Sequence, residues 1–161
     1  MLIAHEEASR SPRANVLVGV DGSAGSEDVV RLVAELIDPQ RAAITVVSVM
    51  PPVVPDFVDH LGAAYIPEPA LTEIQEEEAA RHQAIVDAAS GTLAASGFSV
   101  VGKVAYGKPS QQLLTEGADR LVDMLAVGSR GLGPIRRALL GSVSDHVARL
   151  PPAALIARRP G

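Results

Sequence analysis

The sequence predicts an α/β fold: one domain, with a parallel sheet and helices on both faces. Three observations carry this. Short apolar runs alternate with helix-like segments five times over. The runs are nearly continuous in Val, Ile, Leu and Ala, as in strands covered on both sides. The 161 residues are 47% hydrophobic but only 2% aromatic, so a sizeable core is expected, built of aliphatic side chains.

Residues 1–14 are polar, contain a Ser-Pro and read as a disordered tail. The domain is expected over 15–159. "NVLVGV" (15–20) has the form of a first buried strand, and "DGSAGS" (21–26) of the loop that follows. Val29, Leu32, Val33, Leu36 and Ile37 then recur at helical spacing, with Ser26 expected as N-cap and Asp38-Pro39 as the stop. "AAITVVSVM" (42–50) is β-branched and reads as the second strand.

A Pro-rich loop over 51–69 follows, long enough to be a lid. A long Ala/Glu-rich helix is expected from about Ala70 to Ser96, with Leu71, Ile74, Ile85, Val86 and Leu93 as its apolar stripe. Gly97 stands at its C′ position. "FSVVGKVAY" (98–106) reads as strand three. Gly107-Lys108-Pro109 opens a helix that runs to about Asp119. "LVDMLAVG" (121–128) reads as strand four, Ser142 to Leu150 as a last helix and "AALIA" (153–157) as a last strand.

Composition narrows the function classes. The formal net charge is −5, which argues against a nucleic-acid or anionic-membrane surface. Cysteine is absent, so disulfides, thiol catalysis and zinc thiolates are excluded. No apolar run reaches the length of a membrane span, and the first residues lack the pattern of a signal peptide. A cytoplasmic location is the expectation.

The chemistry concentrates where strands one and four end. In an open parallel sheet, ligands bind at the carboxyl ends of strands where the strand order reverses. "VGSRGLGPIRRALLGSVSDHV" (127–147) carries Gly128, Gly131, Gly133 and Gly141, with Ser142 and Ser144 at a helix start. Such glycines let backbone N–H groups approach phosphate oxygens, and a helix start attracts anions. Arg130, Arg136 and Arg137 are near in sequence. The alternative is a tight strand-to-helix connection with Ser142 as a plain cap; the spacing favours the ligand. Asp21 ends strand one, where a carboxylate accepts from a ribose hydroxyl or holds a divalent cation. It serves equally well as the cap of its own loop, and chemistry alone leaves both readings open.

Gly128-x2-Gly131-x9-Gly141-Ser142 resembles the nucleotide-binding signature of the universal stress protein family. "VLVGVDGSAGSEDVV" (16–30), "ITVVSVM" (44–50), "GKPSQQLL" (107–114), "DMLAVGSRG" (123–131) and "GSVSDHVAR" (141–149) resemble further family segments. The resemblance covers about 15–159. It implies a five-stranded sheet in the order 3-2-1-4-5, ATP as ligand, often with Mg²⁺, and a homodimer. It also implies site roles. Asp21 would lie at the ribose and metal side, with Gly19 and Val20 before it among the cofactor-binding positions. Val49 would offer backbone groups to the adenine edge. Gly128, Gly131, Gly141, Ser142 and Ser144 would hold the phosphates, with the Val143 N–H beside them, Val127 among the binding positions, and Arg130 either a bystander or a phosphate neighbour. Some relatives take cyclic AMP instead. The family's last strand usually reads Pro-Val-Leu-Val-Val and in many members pairs across the dimer. Here Ala154 replaces the proline and Arg158 follows.

Several motifs fall away. "GFSVVGKV" (97–104) nearly spells a P-loop but ends in Val104 where Ser or Thr must hold Mg²⁺. "GSRGLG" has the wrong glycine order for a dinucleotide fingerprint. Asp56, Asp59 and His60 lack ligand spacing, His146 reads as a surface or interface residue, and Glu73 and Glu76–Glu78 read as a solvated face. His5 and His82 have no evident partner. No nucleophile–base–orienter set emerges, so turnover is not expected. The expectation is an ATP-binding regulator. The alternatives are a module of the same fold with an empty pocket, or an ATP-dependent enzyme.

Overall fold

Six strands form one sheet in the computed structural model, which describes residues 2–3, 13–52, 68–128 and 153–157. They are β1 (Leu2–Ile3), β2 (Ala14–Val20), β3 (Ala42–Met50), β4 (Ser99–Tyr106), β5 (Met124–Gly128) and β6 (Ala153–Ala157). The helices are α1 (Ala24–Leu36), α2 (Glu68–Ala95) and α3 (Pro109–Asp119). Strand order is β1-β6-β5-β2-β3-β4. The five strands β2 to β6 are parallel and stand in the expected 3-2-1-4-5 order. The order reverses between β2 and β5.

Several expectations need correction, among them the start of the fourth parallel strand, which is Met124 and not Leu121. Residues 2–3 are not tail: Leu2 pairs with Leu155 and Ile3 with Ala154, antiparallel, on the outer edge of β6. Two residues are too few for any periodicity to show, and pairing satisfies backbone groups that the edge would leave open. Ser26 is not the N-cap of α1. Ser23 is, and its Oγ accepts from the Ser26 N–H at 3.2 Å. Leu36 does not join the core; it is 67% exposed because α1 ends there and its face turns outward.

Strand alternation sorts the core into two layers. Val16, Val18, Val20, Ile44, Val46 and Ala126 face α1 and α2. Leu17, Val47, Val49, Leu125 and Val127 face the other way, with Leu113 of α3. The buried stripe of α2 is His82, Val86, Ala89 and Leu93, with Ile74 at 39% exposure outside it.

The helix ends follow from backbone accounting. Beyond α2, the Phe98 N–H returns to the Leu93 carbonyl and the Gly97 N–H to that of Ala94, with Gly97 at φ +91°. This is the closure expected of a C′ glycine. Beyond α3, Val122 and Leu121 close onto Gly117 and Ala118 in the same way, but the C′ residue is Leu121 at φ 49°. At the amino rim of the sheet, Asp123 Oδ2 accepts from the Asn15 N–H at 2.7 Å, and the Asp123 N–H donates to the Asn15 carbonyl at 2.9 Å. The aspartate that leads the fourth parallel strand therefore ties β5 to β2.

Away from both rims, Lys103 of β4 and Arg120 donate to the buried Glu116 carboxylate. Burial pushes that carboxyl up; the two hydrogen bonds and cations outweigh it and hold it below the usual range.

Candidate functional site

The carboxyl rim is built by register. Val20 stands opposite Ser48 of β3, and Gly19 opposite Val127 of β5. One residue further, Val20 is level with Gly128, and Asp21 with Val49. The β2/β5 gap is the point of reversal, where an α/β sheet leaves a crevice.

The loop on one side of that gap is a chain of local caps. Asp21 Oδ1 accepts from the Ser23 N–H at 3.0 Å. Gly22 between them has φ +77°, a conformation that L side chains rarely adopt. Ser23 then caps α1, and Ser26 Oγ donates back to the Ser23 carbonyl at 2.8 Å. Asp21 thus shapes its own loop, and its carboxylate stays fixed at the rim. A single rim carboxylate suits Mg²⁺ brought in by phosphates, since Mg²⁺ keeps most of its waters. Among the described residues, no cluster of three or more Asp, Glu or His forms a metal cage.

Gly128 bears the other side. A Cβ there would lie 2.8 Å from the Gly25 carbonyl carbon and 2.9 Å from its oxygen. The first glycine of the signature is therefore required by the first turn of α1, which seats its backbone directly on the end of β5. That contact brings the positive end of a helix to the gap.

Behind the rim lies a pair that the sequence did not disclose. Ser48 Oγ donates to the Val20 carbonyl at 2.8 Å and lies 2.8 Å from His82 Nδ1. Ser48 is fully buried and His82 8% exposed. The hydroxyl has one proton and a carbonyl has none. Nδ1 must therefore carry its own hydrogen and donate to Ser48. Burial is the largest influence on His82 and pushes its imidazole below the usual range; Glu78 opposes it, Arg81 adds to it, and Asp21 opposes it. The available signals were a serine inside an apolar strand and a histidine four residues before Val86 on the buried stripe.

Gly19, Val20, Asp21, Val49, Val127 and Gly128 thus gather at or just below one rim. The side chains of Val20, Val49 and Val127 are buried, so only their backbones are offered there. Arg130, Gly131, Gly141, Ser142, Val143 and Ser144 lie outside the described residues, as does the helix expected over 142–150.

An open parallel sheet that reverses at a glycine-flanked gap defines a doubly wound, Rossmann-like protein. Its sequence matches the Universal stress protein family model over residues 12–157, and the chain belongs to that family. It is 29% identical to Universal stress protein YxiE of Bacillus subtilis over 84% of this chain and 91% of that one. It is 33% identical to Universal stress protein Rv1996 of Mycobacterium tuberculosis, over 90% of this chain but only 48% of that protein's length. Among solved structures, a universal stress protein in complex with cAMP superposes with a TM-score of 0.60 at 26% identity, over 91% of this chain and 98% of that one. No helix among the described residues is long and apolar enough to cross a membrane.

Proposed function

We propose that this protein binds an adenine nucleotide, ATP with Mg²⁺, in the β2/β5 crevice and acts as a nucleotide-dependent regulator of the stress response. One observation carries the reading. The Asp21 turn, the first turn of α1 and Gly128 converge on the reversal point, and the chain runs on from Gly128 into the Gly-x2-Gly-x9-Gly-Ser spacing. Asp21 serves the ribose and the Mg²⁺; the backbone near Gly128 serves the phosphates. The reading includes a cytoplasmic homodimer.

A regulator is favoured over an enzyme because the described rim presents no base held against a nucleophile. The Ser48–His82 pair is sealed in the core with its hydroxyl committed to a carbonyl. Cyclic AMP is the second reading, favoured by the solved relative in complex with it.

The test is mass spectrometry of nucleotide released from the purified protein, then calorimetric titration with ATP, ADP and cyclic AMP. ATP is expected to copurify or bind, and Gly131→Val to abolish that binding. If no adenine nucleotide binds at millimolar concentration with Mg²⁺, the family fold here serves protein contacts alone. Sustained phosphate release abolished by Asp21→Ala would establish an enzyme.

A further inference from the structure

Four polar residues are buried among the described ones: Ser26, Ser48, His82 and Glu116. Ser26 belongs to the start of α1, and Glu116 is matched by two cations. Ser48 and His82 have no such local reason. They sit where valine and leucine would pack without a polar group to satisfy, in a core that is otherwise apolar. A fully satisfied buried polar chain fixes one geometry, and its far end shows what is fixed.

That end is the Val20 carbonyl, the last of β2. The peptide it belongs to continues to the Asp21 nitrogen. A trans peptide is planar, with its carbonyl and N–H pointing in opposite directions. The carbonyl is held toward β3, the strand that carries Ser48. The Asp21 N–H is therefore turned the other way, toward β5 and the crevice. Asp21 Cα leaves from the same plane, so the carboxylate starts from a fixed direction as well.

We propose that His82 is a positioning residue for the crevice: through Ser48 it locks the Val20–Asp21 peptide, so that the Asp21 N–H and carboxylate face the bound nucleotide. The nucleotide half of this rests on the function proposed above; the locked peptide does not. Helix α2, whose Ile85 lies 3.0 Å from where a Cβ of Gly22 would stand, reaches the rim a second time through this pair. By register the Val20 carbonyl also receives the Val49 N–H of the β2/β3 ladder, so the Ser48 hydroxyl is its second donor, and a hydroxyl free to rotate would add little. The imidazole donor removes that freedom by directing the hydroxyl's own proton at Val20.

The experiment uses the whole chain with Ser48→Ala, His82→Leu and His82→Asn. The asparagine amide nitrogen overlays Nδ1 and restores the donor, so His82→Asn is the rescue. Two-dimensional NMR of the nucleotide-free proteins reads the Asp21 and Gly22 amides directly. Ser48→Ala and His82→Leu are expected to shift both resonances and to speed their hydrogen exchange about five- to tenfold, the loss of one buried hydrogen bond. His82→Asn is expected to leave them near wild type. ATP affinity, measured by calorimetry, is expected to fall by a similar factor in the first two variants and to recover in the third. In Ser48→Ala/His82→Leu the loss should not exceed that of either single change.

Unmoved Asp21 and Gly22 amides in folded Ser48→Ala would overturn the proposal, as would His82→Asn behaving like His82→Leu. If ATP binds none of the proteins but the amides move as expected, the nucleotide reading fails and the locked peptide stands. If the amides move but wild type and variants bind ATP equally, the positioning role is lost.

Discussion

Two aspartates stand at opposite ends of the same strand pair. Asp123 sits at the amino rim, where it receives the Asn15 N–H and joins β5 to β2. Asp21 sits at the carboxyl rim, where it receives the Ser23 N–H and turns the chain into α1. Each accepts a backbone N–H, yet their consequences differ. The first bond spans 108 residues of sequence and closes the sheet. The second spans two residues and shapes a loop at the carboxyl rim. In a parallel sheet the amino rim can be given over to stability, because ligands collect at the other end.

That division can be attacked from several sides. The largest effect is expected at Gly128, where the carboxyl rim also bears structural weight. Gly128→Val forces atoms into the Gly25 backbone 2.8 Å away. Overpacking against backbone should cost about 3 kcal/mol and abolish ATP binding, read by urea unfolding and calorimetry. Retained stability would mean that α1 does not press on β5. Next come the aspartates themselves. Asp123→Ala should lose about 1–3 kcal/mol while ATP affinity is unchanged. Asp21→Ala should lose less than about 1 kcal/mol while affinity falls at least about tenfold. A swap of those outcomes would reverse the assignment of the rims.

A smaller effect is expected at Glu116, which belongs to neither rim. Its pKa is lowered in the folded protein, so its stabilisation is present above the ordinary carboxylate range and lost as pH falls through the folded value. The melting temperature of Glu116→Gln should lie below wild type at neutral pH. The gap should narrow below about pH 4. A gap that widens in acid would reverse the sign of the shift. The smallest effect lies beside the amino rim. Leu121 adopts φ 49° and is 79% exposed, so its side chain gains nothing from the site. Leu121→Gly should stabilise by about 0.5 kcal/mol, roughly 1–2 °C in melting temperature, with no change in affinity.

The strands were legible because a fully buried parallel strand is written as a plain apolar run. "AAITVVSVM" and "AALIA" match β3 and β6 residue for residue. Gly97 and Pro109 were legible because a left-handed turn and a first helical turn each favour one residue type. Leu121 was hidden for the same reason, since its turn uses a residue that does not advertise it. Ser23 and Ser26 are both good caps three residues apart, and only the φ of Gly22 and the direction of the chain decide between them. Of the candidate site, the rim placement of Asp21 and Gly128 was legible from the ends of the two apolar runs. What supports it was not: Ser48 and His82 are 34 positions apart and meet only because α2 lies across β3.

The short strand β1 has a practical consequence. It runs antiparallel to β6, so the chain passes from the carboxyl rim toward the amino rim as it goes from Leu2 to Ile3. The chain ahead of Leu2 is therefore directed toward the carboxyl rim. With strands spaced at about 4.8 Å, β1 lies roughly 12 Å across the sheet from the β2/β5 gap. If a nucleotide binds as proposed, a small fluorophore attached just ahead of Leu2 should fall within quenching range of a labelled nucleotide.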